Sequence, residues 1–337
     1  MTVGVERHTS GEAIAAEWDA LAREVGAPPF ARPGWNAAWW NAFGNGALEL
    51  LAARRDGALT GVLPIVRRAG GVHVPANWHT PVFAAAARDE ETRRELYDAA
   101  FATSRPYANL RLLGDDAAVA EDVARDRRFD VSVRVLQSSP YVDLRRELPA
   151  PREKTLRKAR EKLAREEGET SLEVLGSTEG VLDEAFELEG SGWKVDDGTA
   201  IVSRDDTKRF YTDVLHWAER EGILRLFFLC AGDRRIAVEL TLVQDGMLYD
   251  LKGGYDPAYR KYSPGFLIAD AMIRHSQADG LATYELLGAA EPWKLEWTDL
   301  TRDRFAVEAF AAGPLGAAAR FGYRRAQPLA KRVLRRA

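Results

Sequence analysis

The order of helices and strands that the sequence predicts is repeated in the two halves of the chain. In the first half, helical periodicity over Gly11–Val25 and a second, aromatic helix (PGWNAAWWNAF) precede three strands, a helix and a final strand (NLRLLG). The first two strands, LELLAARR and ALTGVLPIVRR, are joined at Asp56-Gly57, a dipeptide typical of a tight hairpin turn. The third strand covers Val72–Trp78, and the following helix covers Asp89–Thr103.

The second half shows the same succession. Two helices, Glu179–Gly192 and Asp205–Glu221, precede the strands ILRLFFLCAG and RRIAVELTLVQD, which are joined at Gly232-Asp233. A third strand (MLYDLKG), a helix that begins at Pro264 and the strand ATYELLG complete this half. The shared order predicts a tandem duplication of an α/β lobe, with α+β mixed sheets that are twisted and flanked by helices.

Length and composition limit the class of protein. A chain of 337 residues predicts two domains or one large domain. The formal net charge is −4, from 47 basic and 51 acidic residues, which argues against a general binder of DNA. Cys230 is the single cysteine, so no intramolecular disulfide can form. Neither a signal peptide nor an apolar run of membrane-spanning length is recognisable, and a cytoplasmic location is therefore expected.

The predicted boundaries give an N-terminal lobe over residues 1–150, a connecting helix over residues 151–169 and a C-terminal lobe over residues 170–337. The connecting helix is highly charged, with Leu156 and Leu163 one heptad apart. Its charged face is either solvated or forms a basic strip beside a phosphate-bearing substrate. The basic C-terminus (ARFGYRRAQPLAKRVLRRA) is either a solvated helix packed on the body or a surface for membrane or nucleic acid.

The junction before the Pro264 helix has the composition of an anion-binding site. Ser263 suits the N-cap, Pro264 suits the first helical position, and Gly265 allows a ligand to approach the backbone. The first N–H groups of a helix and its dipole attract an anion, and Arg260 and Lys261 lie just upstream. We expect this junction to hold a pyrophosphate.

Other kinds of site have little support in the sequence. The five histidines are scattered without paired ligand spacing, so no metal site is predicted; they are His8, His73, His79, His216 and His275. A Gly-x-Ser-x-Gly nucleophile elbow, a dinucleotide-binding glycine fingerprint and a Walker phosphate loop are all missing from the sequence.

The segment R-K-Y-S-P-G, between a strand and a helix, resembles the acyl-CoA pyrophosphate loop of the GNAT acetyltransferase superfamily, Gln/Arg-x-x-Gly-x-Gly/Ala. Arg260 matches the first position and Gly265 the last, while Ser263 replaces the middle glycine. Together with Gly192-Trp193-Lys194, LKGGYD and EPWKLEW, the segment is similar to the CelD/BcsL-like branch, which is related to Fem-type peptidyltransferases. In the first half, PGWNAAWW, GVLPI and NWHTP also resemble that branch.

The resemblance implies an acyl-CoA, the co-substrate, bound along the Pro264 helix with its pantetheine arm against a splayed strand. Gly265, Phe266 and Leu267 would donate N–H groups to the phosphates, since Pro264 has none, and Arg260, Lys261, Tyr262 and Ser263 would form the loop. Lys252, Gly253 and Gly254 would lie near the thioester, where glycines permit a bulge. The alternative for Gly253-Gly254 is a turn that ends the strand.

Acyl transfer also needs a base that deprotonates the acceptor. Glu239 lies within an apolar strand (IAVELTLV), where a carboxylate can act as a base or can face solvent. Glu285 is the second candidate, and Asp256, which precedes Pro257, is a third that also suits a turn. The residues expected to contact the acceptor are Glu189, Trp193, Lys194, Tyr255, Lys294 and Trp297.

The function predicted from these features is an acyl-CoA-dependent N-acyltransferase, without a metal, that acts on a small-molecule amine. By analogy with the family, the amine belongs to an amino sugar or a precursor of cell-envelope polysaccharide. The C-terminal lobe would hold the acyl-CoA and the N-terminal lobe the acceptor. Two alternatives stay open: a Fem-type transferase that takes its acyl group from aminoacyl-tRNA, and a binding module that has kept the fold without catalysis.

Overall fold

The computed structural model describes residues 4–68, 71–104, 106–148, 152–191 and 198–323. The chain divides into two compact units. Unit 1 contains Met1–Gln137 and Asp303–Ala337, and unit 2 contains Ser138–Arg302. Each unit is built around its own mixed β-sheet.

Unit 1 packs helices on a sheet with the strand order β1-β2-β3-β4-β6-β13, and β5 pairs with β3. Its elements are β1 (Gly4–His8), α1 (Ala15–Glu24), a 3-10 helix (Pro29–Ala31), α2 (Pro33–Phe43), β2 (Ala47–Arg55), β3 (Ala58–Arg68), β4 (Gly71–His73), β5 (Ala86–Ala87), α3 (Glu90–Ala102), β6 (Tyr107–Leu113), α4 (Asp116–Asp126) and most of β13 (Thr301–Phe310).

Local sequence explains the first hairpin and the start of α3. Asp56 and Gly57 both have positive φ, 52° and 83°, as the tight turn between β2 and β3 requires, and the predicted hairpin is confirmed. Asp89 is the N-cap of α3, where its side chain accepts a hydrogen bond from the Thr92 N–H at 2.7 Å. The apolar face of α3, with Leu96 and Phe101, is buried in the unit 1 core.

Unit 2 has the strand order β7-β12-β11-β10-β9-β8. Its elements are the end of β7 (Asp130–Asp143), α5 (Glu153–Glu167), β8 (Thr170–Leu175), α6 (Leu182–Gly190), a 3-10 helix (Ile201–Ser203), α7 (Asp205–Arg220), β9 (Leu224–Ala231), β10 (Arg234–Gln244), β11 (Met247–Tyr255), a second 3-10 helix (Pro257–Tyr262), α8 (Pro264–Ala278), β12 (Thr283–Glu285) and α9 (Pro292–Leu295).

The predicted repeat of elements is confirmed. The order α1-α2-β2-β3-β4-α3-β6 in the first half corresponds to α6-α7-β9-β10-β11-α8-β12 in the second. In both, the strand before the last helix of the series pairs in parallel with the strand after it, β4 with β6 and β11 with β12. The predicted α/β fold, with mixed sheets flanked by helices, is therefore correct.

The two halves exchange their last strands. β13 follows the second half of the chain, yet it pairs with β6 of unit 1, where Val307 lies opposite Leu110. β7 follows the first half, yet Val142 lies opposite Tyr284 of β12 in unit 2. The units therefore differ from the predicted lobes, because residues 303–337 belong to unit 1 and residues 138–150 belong to unit 2.

The predicted connecting helix corresponds to α5, which is part of unit 2 rather than a separate linker. Leu156 and Leu163 are buried in the unit 2 core, whereas Arg157 and Arg165 are exposed. The leucine pair thus anchors the helix, while Arg157 and Arg165 face solvent. At the C-terminus, Phe321 is exposed, and Leu329 and Val333 lie outside the described residues.

Within the described ranges, no helix combines the length and the apolar composition needed to cross a membrane.

Because Leu163 is fully buried beneath α5, Leu163→Ala should lower the free energy of unfolding by about 2–5 kcal/mol. Lys158→Ala, on the exposed side of the same helix, should change it by less than about 0.5 kcal/mol. Urea unfolding followed by circular dichroism measures both values. Equal, small effects would show that α5 does not belong to the packed core.

Candidate active site

The two parallel strands of unit 2 diverge at one point. β12 pairs with β11 from Met247 to Tyr249 and ends at Glu285, opposite Tyr249, whereas β11 continues to Tyr255 beside β10. The register between β10 and β11 shifts immediately after this point, which leaves Leu251 as an extra residue in a bulge. A gap beside a continuing strand can accept an extended ligand in place of the missing neighbour.

Gly253 and Gly254 lie inside β11 and not in a turn, so the interpretation as a strand-ending turn is excluded. A Cβ atom on Gly253 would overlap the carboxylate of Glu239, which lies opposite it on β10. A Cβ atom on Gly254 would lie 2.6 Å from the Glu189 Cα and so would displace α6. Each glycine therefore makes room on a different face of the sheet, one for a carboxylate and one for a helix.

The space at Gly253 directs Glu239 across β11. The carboxylate thus lies over the strand, just beyond the point where β12 diverges from β11. On the neighbouring strands, the Tyr284 hydroxyl donates a hydrogen bond to Asp250 Oδ2 at 2.7 Å. Burial raises the pKa of Tyr284 well above its usual value, and the negative charges of Asp250 and Glu239 raise it further. Tyr284 therefore stays protonated at neutral pH.

The sequence does not single out Asp250 or Tyr284. In the sequence they stand in ordinary strand patterns, and only the register between β10, β11 and β12 brings them to the same part of the sheet as Glu239.

The second base candidate, Glu285, is in an ion pair. Its side chain is almost fully buried, and its Oε1 accepts a hydrogen bond from Arg302 Nε at 2.8 Å. The guanidinium of Arg302 lies over the Tyr141 ring, 4.0 Å from its centroid. Glu285 lies on β12 and Glu239 on β10, so the two base candidates stand on different strands.

The predicted anion site is not an extended loop but a short 3-10 helix that leads directly into α8. Residues Pro257–Tyr262 form a 3-10 helix, and Ser263 has a positive φ of 57° directly before α8. The Ser263 carbonyl accepts the N–H groups of Phe266 and Leu267, each at 3.1 Å. Within the described residues, Gly265 is the one of the three predicted donors whose N–H has no hydrogen bond.

The side chains of the predicted loop divide into exposed and buried groups. Arg260 is exposed, whereas Lys261 pairs with Glu166 at 3.3 Å. Tyr262 is buried and donates its hydroxyl to Glu166, and the Leu267 side chain also belongs to the core. Tyr262 and Leu267 therefore hold the junction in place from inside the unit, and their side chains cannot contact a ligand directly.

Arg152 is a basic residue near the start of α8 that no sequence motif singles out. Its guanidinium lies 4.4 Å from the centroid of the Phe266 ring, and it donates two hydrogen bonds to Glu296, at 2.6 and 2.7 Å. The residue has a positive φ of 54°, which is uncommon outside glycine. The guanidinium of Arg152, the N-cap residue of α5, thus lies beside the N-terminal end of α8.

Glu189 is buried rather than lining an open pocket. Its Oε2 accepts the Ile201 N–H at 2.8 Å, and its Oε1 lies 3.8 Å from Lys252 Nζ. Lys252 in turn donates to the Thr199 carbonyl at 3.2 Å. Glu189 and Lys252 therefore attach the segment around residues 199–201 to the sheet. Trp193 and Lys194 lie outside the described residues.

Of the other predicted acceptor residues, Tyr255 lies beside the start of α8, its ring within van der Waals distance of the Cβ position of Gly265. Lys294 is largely buried and donates to the Leu287 carbonyl at 2.9 Å, next to Gly288 with its positive φ. Trp297 is a core residue at 2% exposure. Lys294 and Trp297 therefore stabilise the segment after β12, and neither presents its functional group to solvent.

In the described residues, no three His, Cys, Asp or Glu side chains are grouped as a metal site requires.

Comparison with known proteins shows the kind of fold. Residues 150–295 match a protein family described as an acetyltransferase (GNAT) domain. A search of curated proteins found no match. The fold-level resemblance to GNAT acetyltransferases is thus supported over most of unit 2, while the CelD/BcsL-like branch stays a prediction. The match to this family supports a transferase.

Solved structures resemble both halves of the chain. FemX is 12% identical with a TM-score of 0.58, and the match covers 91% of this chain and 97% of that one. The C-terminal domain of a putative lysylphosphatidylglycerol synthetase from Agrobacterium fabrum is 13% identical with a TM-score of 0.57, over 91% and 96%. A conserved protein of unknown function from Bacteroides thetaiotaomicron VPI-5482 is 10% identical with a TM-score of 0.59, over 91% and 100%. At these identities the likeness shows the fold alone.

The contact between Gly253 and Glu239 predicts a coupled effect of two substitutions. Gly253→Ala should cost about 1–3 kcal/mol of stability, because its Cβ overlaps the Glu239 carboxylate, and should cost less in a Glu239→Ala background. Gly254→Ala is the matched control, since its Cβ would meet the α6 backbone in both backgrounds. Urea unfolding of the single and double variants measures the coupling, and additive effects for Gly253→Ala would refute the arrangement.

Proposed function

We propose that the chain is an acyltransferase whose second unit holds the acyl donor beside β11 and uses Glu239 to deprotonate an amine acceptor. The observation that carries this proposal is the placement of the Glu239 carboxylate over Gly253, just beyond the divergence of β11 and β12. A base must be within hydrogen-bond reach of the proton that it removes. A carboxylate that lies over β11, beside the stretch that β12 no longer pairs with, would be within reach of an acceptor bound there.

The roles of the residues follow from the chemistry of acyl transfer. A bound acyl-CoA would supply the acyl group as a thioester. Glu239 would take the proton that the amine loses as the new C–N bond forms, and CoA would leave as a thiolate with the electron pair of the broken C–S bond. Tyr284 and Asp250 would keep this part of the sheet polar, with the Tyr284 proton held on its oxygen by burial. Gly253 would keep the space that the carboxylate needs.

The start of α8 supports an anionic donor in unit 2. Its first turn has no acidic residue, the Gly265 N–H has no hydrogen-bond partner among the described residues, and Arg260 is exposed just upstream. The corresponding helix of unit 1, α3, begins differently: Asp89 takes up the Thr92 N–H, and Glu90 and Glu91 fill the first turn. Those charges would repel a phosphate, which supports the proposal that unit 2 holds the donor.

An aminoacyl-tRNA donor is the second candidate. It is favoured by the likeness in fold to FemX and by the exposed basic side chains of α5, among them Arg157 and Arg165. Binding of tRNA through such side chains would weaken steeply with salt, whereas CoA binding at a helix start would depend on salt much less. The acceptor that we propose, an amine of an amino sugar or cell-envelope precursor, is the same in both cases.

Thermal unfolding in the presence of acetyl-CoA, longer acyl-CoAs, free CoA and tRNA distinguishes the donors. A ligand at 100 times its Kd should stabilise the protein by about 2.7 kcal/mol, which is a clear rise in Tm. Gly265→Pro should abolish the rise with CoA because it removes the N–H, and Gly265→Ala, which keeps the N–H in uncrowded space, should not. A rise with tRNA alone would select the second candidate, and no rise with any of them would refute both donors.

Substitution of the base should separate binding from turnover. Glu239→Gln should lower kcat by a factor of about 10²–10⁴, with donor affinity unchanged. Release of CoA thiol with a panel of amines measures this. If Glu239→Gln keeps full turnover while Glu285→Gln loses it, Glu285 is the base instead.

A further inference from the structure

Three side chains at the end of β12 form an incomplete ion-pair site. Glu285 and Tyr141 lie opposite each other on β12 and β7, so both project from the same face of the sheet. Arg302, the second residue of β13 (Thr301–Phe310), reaches this pair from its own strand. All three residues belong to unit 2.

The guanidinium of Arg302 contacts Glu285 along its edge and Tyr141 on its face. Its Nε donates to Glu285 Oε1 at 2.8 Å, and its plane lies over the Tyr141 ring, 4.0 Å from the centroid. These contacts fix both the edge and the face of the group. Its terminal N–H groups have no hydrogen-bond partner in the described part of the chain, and the side chain is 44% exposed. A fixed fork of N–H donors that faces solvent is suited to a carboxylate or phosphate.

Glu285 is also incompletely satisfied. Its side chain is 4% exposed, and Oε2 is buried with no hydrogen-bond donor in the described residues. A buried carboxylate oxygen without a donor is unfavourable, and native structures usually supply one from protein, water or ligand. An N–H or O–H group of a ligand held by Arg302 would provide the missing hydrogen bond.

A structural ion pair elsewhere in unit 2 shows what a completed arrangement looks like. Asp270 is buried to a similar degree, at 8% exposure, and receives Arg274 Nε at 3.0 Å on Oδ1. Its second oxygen, Oδ2, receives Arg160 at 2.9 Å. Both Asp270 oxygens are therefore satisfied within the protein. In the Glu285 pair, one carboxylate oxygen and the terminal N–H groups of Arg302 have no partner among the described residues.

We propose that Arg302, Glu285 and Tyr141 form a binding site for the head group of the acceptor, an oxyanion with a hydrogen-bond donor beside it, as in an amino acid. Arg302 binds the oxyanion, Glu285 Oε2 accepts from the donor, and Tyr141 supports the guanidinium. As an acceptor site it rests on the proposed function, because Glu285 ends β12 where β11 diverges toward Gly253. Glu285 is then a positioning and binding residue and not the base.

The test of binding uses the Nε–H NMR resonances of the arginines, with that of Arg302 assigned by its loss in Arg302→Lys. Glycine carries both groups, acetate carries the oxyanion alone, and glycinamide carries the donor without the carboxylate. Glycine should shift the Arg302 resonance most, acetate less and glycinamide not at all. Phosphoethanolamine carries a phosphate in place of the carboxylate of glycine. Whichever of these two ligands binds more tightly identifies the oxyanion of the acceptor head group as a phosphate or a carboxylate. The Arg274 resonance is the internal control and should not move.

Substitutions give a second readout. Arg302→Gln should weaken glycine binding about tenfold or more, since it removes charge-assisted hydrogen bonds, and Glu285→Gln should reduce the preference for glycine over acetate. Arg274→Gln, a matched guanidinium of similar exposure, should leave binding unchanged. With an acyl donor present, Arg302→Gln should raise the acceptor KM with little change in kcat.

The NMR titration tests the head-group site, and the donor-dependent reaction tests the proposed acyltransferase function. The NMR titration needs no acyl donor, so glycine binding at Arg302 without any donor-dependent reaction would contradict the proposed function and leave the head-group site intact. An Arg302 resonance that does not respond to glycine, acetate or phosphoethanolamine would overturn the site. So would equal glycine affinity in the wild type and Arg302→Gln.

Discussion

The parallel pairing of β11 with β12, and its end at Tyr249 and Glu285, determines how the rest of unit 2 is arranged. Parallel strands need a crossover connection, and α8 provides it, which places the start of that helix beside the far end of β11. Because β12 stops while β11 continues, a gap opens between the bulge and Tyr255. The helix start, the Glu239 carboxylate and the Arg302 site all lie around this divergence.

Two adjacent glycines of β11, Gly253 and Gly254, leave space for close contacts on both faces of the sheet. Residues next to each other in a strand point to opposite sides, so Gly253 admits the Glu239 carboxylate on one side, and Gly254 admits the end of α6 on the other. Side chains at these positions would separate the carboxylate from the strand or the helix from the sheet. The cost of two flexible residues within a strand is offset by packing on both faces.

The two units share an order of elements but not the chemistry of their helix starts. In unit 1, the acids at the start of α3 satisfy its N–H groups internally and complement the helix dipole, which stabilises the helix and leaves no place for an anion. In unit 2, α8 begins without acids and without a side-chain cap, so its dipole is available to a ligand. The two units thus repeat an order of elements while the charges at the corresponding helix starts differ.

The sequence by itself determined the order of the elements, the hairpin at Asp56-Gly57 and the helix start at Pro264, because periodicity, turn dipeptides and capping residues act over a few neighbouring residues. It could not determine that β13 completes unit 1 or that Glu285 pairs with Arg302, since partners of strands and of charges are chosen across the sheet. Glu239 was recognisable as a candidate base from its strand. Only the register between β10 and β11, which sets it over Gly253, decided where its carboxylate lies.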